Sequence, residues 1–148
     1  MSRRGARAWG IILAGGDGTR LQDLTIRIEG DKRPKQFCRM LGNESLLTQT
    51  RRRISPLFDG DEIITVVTKK HEPYYAHEFN DGKAAVIVQP DNRGTGIAIG
   101  AAILTLRELD AEAIVVSFPC DHHYRNEAAV LVPVEAGIDV APDPSDAL

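Results

Sequence analysis

The stretch Leu13-Ala14-Gly15-Gly16-Asp17-Gly18-Thr19-Arg20-Leu21 puts three glycines within four positions, followed at once by a hydroxyl and a guanidinium. Glycine permits positive φ and close backbone approach, so successive N–H groups in such a loop can converge on phosphate oxygens. Arg20 adds a planar fork of donors suited to a polyphosphate. The spacing is not that of a Walker loop, because no Gly-Lys-Ser/Thr follows, and it is not a dinucleotide fingerprint. Fifteen residues beyond Arg20, the segment Arg33-Pro34-Lys35-Gln36-Phe37 offers Lys35 as a point charge for the same phosphates, beside a backbone stiffened by Pro34.

Two later segments extend the pattern. In Gln89-Pro90-Asp91-Asn92-Arg93-Gly94-Thr95-Gly96, Gln89 has both a donor and an acceptor for reading the edge of a base. Gly94, Thr95 and Gly96 let backbone approach a ligand at a helix N-terminus, although Thr95 acting only as a helix cap is an equally simple use of that residue. In Phe118-Pro119-Cys120-Asp121-His122-His123, Asp121 is a carboxylate at a strand end. That suits Mg²⁺, which takes one or two carboxylates together with ligand phosphates. Zinc is disfavoured, because four consecutive side chains on a turning segment cannot all face one ion. Cys120 and the two histidines are read as structural neighbours.

Charge is divided unevenly. Residues 1–58 carry 12 Lys/Arg against 5 Asp/Glu, and residues 59–148 carry 6 against 16. The basic third surrounds the glycine loop, and aromatics make up only 5% of the chain and do not interleave with the cations, so a small phosphate ligand is expected and nucleic acid is not. Arg51 is read as solvated surface.

These residues need a scaffold that brings loop ends together, and the apolar pattern supplies one. Continuous apolar or β-branched runs at Trp9–Ala14, Glu62–Thr68, Ala84–Val88 and Ala113–Phe118 predict four strands, the first of them buried on both faces. Between them, helices are expected over Ser45–Phe58 with Ser45 as cap, Glu72–Phe79 and Thr95–Leu109. A last helix is expected over Glu127–Val140, starting late or kinking because Pro133 lies inside it. No element is assigned to residues 22–30. Alternating strands and helices call for an α/β fold, a Rossmann-like parallel sheet with flanking helices, whose first strand is central and opens at its C-terminal end onto a ligand crevice.

The four segments together resemble the sugar-1-phosphate nucleotidyltransferases, most closely the mannose-1-phosphate guanylyltransferases, with matching order and spacing over nearly the whole chain. The resemblance implies a GT-A-like fold in which Gly15, Gly16, Gly18 and Thr19 cradle a nucleoside triphosphate. It places Leu13, Ala14, Gln89, Gly94 and Thr95 among the nucleotide-binding positions. Arg20 would hold the leaving pyrophosphate, Lys35 would neutralise charge at the reacting phosphate, and Asp121 would bind Mg²⁺. The implied substrates are GTP and mannose 1-phosphate, and the products GDP-mannose and pyrophosphate. Cytidylyl transfer fits less well, because Asp121 is followed by His122-His123-Tyr124 where that branch has Ala-Ala-Arg. Thymidylyl or uridylyl transfer to another sugar phosphate, and a non-catalytic nucleotide-binding module, remain alternatives.

The 148 residues are expected to form one domain, the nucleotide-binding half of a longer enzyme whose sugar-binding half is absent. The apolar stretch Trp9–Ala14 is too short for a secretory leader, no run reaches the ~18 residues of a membrane span, and two cysteines make no disulfide framework. A cytoplasmic, reduced setting without a membrane partner is therefore expected. An uncovered sheet edge would favour self-association, so a homo-oligomer is among the expected states.

Overall fold

The computed structural model describes residues 7–80, 82 and 85–141, so the basic start of the chain, Ala84 and the connector 142–148 lie outside the described residues. Strand β1, Ala8–Leu13, leads through the glycine loop to helix α1, Gln22–Glu29, and then to α2, Leu46–Ile54. Next come β2, Ile63–Thr68; α3, Glu72–Tyr75; β3, Ala85–Gln89; α4, Thr95–Leu109; β4, Ile114–Pro119; and α5, Glu127–Asp139. All pairings are parallel and the strand order is β3-β2-β1-β4, so β1 is interior as expected.

Alternation along β1 and β2 divides the core between the two faces of the sheet. Ala8, Ile12, Ile63 and Val67 pack with Leu47, Ile54 and Phe58 of the α2 region and with Ile138 of α5. Trp9, Ile11, Ile64 and Val66 pack instead against Ala98, Ala102 and Leu106 of α4. Both faces of β1 and β2 are thus covered, which is why these strands read as unbroken apolar runs. Outside this core, Leu24 and Ile28 on α1 and Ile97 and Leu104 on α4 remain exposed.

Four elements depart from expectation: the helix expected over Glu72–Phe79 is α-helical only to Tyr75 and continues as a 3-10 turn over Ala76–Phe79, and three others differ for local reasons. Helix α2 is capped by Ser45, whose Oγ accepts from the Thr48 N–H at 3.0 Å, but it ends at Ile54 and not at Phe58. Pro56 cannot donate to the Arg52 carbonyl, and the Ser55 hydroxyl takes that acceptor at 2.9 Å. Helix α5 starts at Glu127, capped by Asn126, and passes through Pro133 with no late start. Pro133 and Ala129, whose carbonyl loses its helical donor there, are both exposed, so water can serve that carbonyl. Helix α1 forms where no element is expected: Leu24-Thr25-Ile26-Arg27-Ile28 alternates like a strand, and this alternation masks the i,i+4 pair Leu24 and Ile28.

Candidate functional site

The glycine loop leaves the C-terminal end of β1 and is held from below by two side chains. Gln36 is buried, and its Nε2 donates to the Ala14 carbonyl at 2.9 Å and the Gly16 carbonyl at 2.7 Å. Thr68, the last residue of β2, donates its hydroxyl to the Gly15 carbonyl at 2.8 Å. In a trans peptide the N–H points opposite to the preceding carbonyl. Three carbonyls turned into the protein therefore turn the N–H groups of Gly15, Gly16 and Asp17 the other way, as a phosphate cradle requires.

Two of the glycines are dictated by space. A Cβ at Gly15 would lie 3.0 Å from Thr68 Oγ1 and 3.4 Å from Gln89 Oε1. Gly18 has φ 63°, and a Cβ there would come within 3.1 Å of the Lys35 nitrogen and Pro34 Cα. This contact brings the Pro34-Lys35 segment against the loop and starts the single turn Lys35–Phe37, which buries Gln36 and Phe37.

The ends of β1, β3 and β4 enclose a crevice of about 380 Å³. Leu13, Gly15 and Gly16 line one side with Lys35, and Asp121 faces them from beyond β4. Gln89, Gly94 and Thr95 line the β3 side. Gln89 is the final residue of β3, is buried, and makes no side-chain hydrogen bond among the described residues, so its amide is free to meet a ligand. The cap of α4 is Gly94 and not Thr95, with the Gly94 N–H bound to Asn92 Oδ1 at 3.0 Å. The capping alternative for Thr95 is thereby set aside.

Lys35 and Asp121 form an ion pair across the crevice. Burial alone would raise the Asp121 pKa, but hydrogen bonding and charge attraction from the Lys35 ammonium outweigh it and hold the carboxyl below its ordinary value. Asp121 is thus ionised, as a metal ligand must be. No cluster of three or more His, Cys, Asp or Glu suited to a metal occurs among the described residues. One carboxylate beside a phosphate cradle fits Mg²⁺ bound jointly with ligand phosphates, and it does not fit a closed protein cage. The turn exposes His122 and His123 and buries Cys120, whose thiol pKa burial pushes far up, leaving it inert.

The remaining predicted residues lie elsewhere. Ala14 is buried and contributes its carbonyl to Gln36. Gly18 shapes the Lys35 contact without lining the crevice. Thr19 faces a separate cavity behind the loop, and Arg20 is exposed on the short turn Thr19–Leu21. Arg51, read as solvated, instead donates to the Glu78 carbonyl at 2.9 Å and lies over the Phe79 ring at 5.0 Å. Gln36 and Thr68 are site residues that sequence reasoning misses, because nothing in their own types signals which backbone carbonyls they will meet.

Comparison with known proteins places this geometry. Residues 9–136 match the Nucleotidyl transferase family. The chain is similar to the xanthan biosynthesis protein XanB of Xanthomonas campestris, at 32% identity over 80% of this chain and 25% of that protein. It is also similar to the mannose-1-phosphate guanylyltransferase of Salmonella muenchen, at 30% identity over 82% of this chain and 26% of that enzyme. A solved structure described as a mannose-1-phosphate geranyltransferase from Thermus thermophilus superposes with a TM-score of 0.72 at 22% identity, covering 88% of this chain and 37% of that one, and supports the fold. The chain spans about a quarter of the length of the sequence relatives it matches. With its glycine loop and its lysine–aspartate pair inside the matched region, the chain belongs to the nucleotidyl transferase family.

Proposed function

We propose that this chain forms the nucleotide-binding portion of a sugar-1-phosphate nucleotidyltransferase that transfers a guanylyl group from GTP to mannose 1-phosphate. The observation that carries this reading is the single crevice in which the glycine loop, Lys35, Asp121, Gln89 and the start of α4 meet. The guanylyl and mannose assignments rest on the names of relatives such as the Salmonella muenchen enzyme.

In the proposed reaction an oxygen of the sugar phosphate attacks the α-phosphorus of GTP. The new P–O bond forms as the bond to the β-phosphate breaks, and pyrophosphate leaves with the electron pair. Two anions must meet, so the barrier falls chiefly through positioning and cationic stabilisation. The loop N–H groups bind the phosphates, and Lys35 leaves Asp121 to stabilise charge at the α-phosphoryl oxygens. Gln89 meets the base edge. Asp121, freed from Lys35, would hold Mg²⁺, which supplies charge neutralisation at the phosphates when bound.

Calorimetric titration with GTP, UTP and dTTP in the presence of Mg²⁺ tests this reading. Tightest binding of GTP is expected, and equal affinities for all three would overturn the guanylyl assignment. Pyrophosphate release on adding mannose 1-phosphate separates a transferase from a module that only binds nucleotide.

A further inference from the structure

The glycine loop has two sides. Gly15 and Gly16 face the crevice described above, whereas Asp17 and Thr19 line a second cavity of about 310 Å³ behind the loop. Lys32, Lys70, His71 and Tyr74 also line it. Two lysines and one carboxylate therefore share this lining. Lys70 is paired with Asp17 Oδ1, and the same oxygen lies 3.6 Å from His71 Nε2. Lys32 makes no ion pair or hydrogen bond among the described residues. Its nearest acidic neighbours in sequence are already taken, Asp31 by Arg33 and Glu29 by Arg33 and Arg39.

His71 is 6% exposed, yet its Nδ1 is buried without a hydrogen-bond partner, a polar atom of the kind native folds seldom leave unused. Asp17 is tied across the loops that follow β1, β2 and β3: to Lys70, and through Oδ2 to Asn92 Nδ2 at 3.5 Å. It sits where an external anion would sit. We propose that this cavity is a second oxyanion site, taking a phosphate-class dianion at Lys32 and Lys70, with Asp17 as the internal carboxylate that occupies Lys70 when no anion is bound. Anion entry moves Asp17 off Lys70, and because Asp17 is part of the glycine loop, occupancy of the rear cavity re-sets the loop that forms the wall of the front crevice. The proposal does not depend on the nucleotide reading, because its probe carries no base.

The probe is inorganic pyrophosphate, titrated calorimetrically in Mg²⁺-free buffer. Each lysine would supply a charge-assisted hydrogen bond to the anion, so Lys32→Ala and Lys70→Ala should each weaken pyrophosphate binding by about tenfold or more. Asp17→Asn removes the internal competitor and should tighten binding by about tenfold. Lys32 is exposed and unpaired among the described residues, so Lys32→Ala reports on the site even if Lys70→Ala disturbs the fold. Competition distinguishes two sources of the dianion: displacement of pyrophosphate by GTP but not by GMP identifies the tail of a triphosphate, and simultaneous binding of pyrophosphate and GTP identifies a free anion. Pyrophosphate affinity that is unchanged in both Lys32→Ala and Asp17→Asn overturns the proposal.

Discussion

Lys35 and Arg20 flank the same glycine loop, and the structure treats them differently. Lys35 rises from a turn pressed against Gly18, followed by the buried Gln36, and its ammonium is already paired with Asp121. Arg20 stands exposed on a three-residue turn, and no ion pair or hydrogen bond fixes its side chain among the described residues. The Lys35 backbone is fixed at the crevice before ligand arrives, although its ammonium must still leave Asp121, whereas a free arginine loses up to ~2 kcal/mol of rotamer entropy on binding. The two basic residues that stand out together in the sequence are therefore expected to contribute unequally, one as a preorganised group and the other as a clamp recruited by ligand.

The largest effect should come from Lys35→Ala. Cationic groups aimed at a transferring phosphate are worth ~10³-fold or more in rate, about 4 kcal/mol, so pyrophosphate release should fall by that order while nucleotide affinity falls much less. Gln36→Ala attacks the support of the preorganised side. It leaves the Ala14 and Gly16 carbonyls without their donor, each costing roughly 1–3 kcal/mol where water cannot replace it, and denaturant unfolding should show that loss. Arg20→Ala should leave stability unchanged and slow pyrophosphate release by about ten- to a hundredfold, from a contact worth ~1.5–3 kcal/mol. An Arg20 effect as large as that of Lys35 would break the contrast between the two.

Smaller effects sharpen it. Arg51→Ala should cost about 1 kcal/mol of stability through the lost bond to the Glu78 carbonyl and the lost ring contact, with no change in nucleotide binding. Glu29 anchors the stretch after α1: hydrogen bonds from Arg39, with Arg33 nearby, hold its carboxyl at about 2 against an ordinary 4.5. A depressed carboxyl contributes stability that is full above 4.5 and is lost as pH falls toward 2, so an acid titration of wild type should show a loss in that window that is reduced in Glu29→Gln.

β1 and β2 are legible in the sequence because they are covered on both faces and read as nearly continuous apolar runs, whereas the partly buried β3 and β4 are legible through their β-branched residues. The span of α4 is legible for a related reason: its long apolar segment begins just after a glycine, and its bounds are as expected. Helix α1 is not legible, because Leu24, Ile26 and Ile28 alternate as a strand would and lie largely in solvent. The site follows the same division. Glycines and isolated charges announce where phosphate could bind, and Asp121 announces itself by its place after a strand. The contacts that give the loop its orientation, Gln36 and Thr68 to backbone carbonyls, depend on how distant strand ends meet. So does the pairing of Lys35 with Asp121, which joins the first third of the chain to the end of β4.

In the proposed reaction Lys35 and Asp121 separate to serve one bound nucleotide, with Asp121 as its metal ligand. The direct test is a calorimetric titration of GTP into wild type and Asp121→Asn, each with and without Mg²⁺. Wild type should bind GTP more tightly with Mg²⁺ than without it, and Asp121→Asn should bind with the same affinity in both buffers. A Mg²⁺ enhancement that persists undiminished in Asp121→Asn would contradict the assignment.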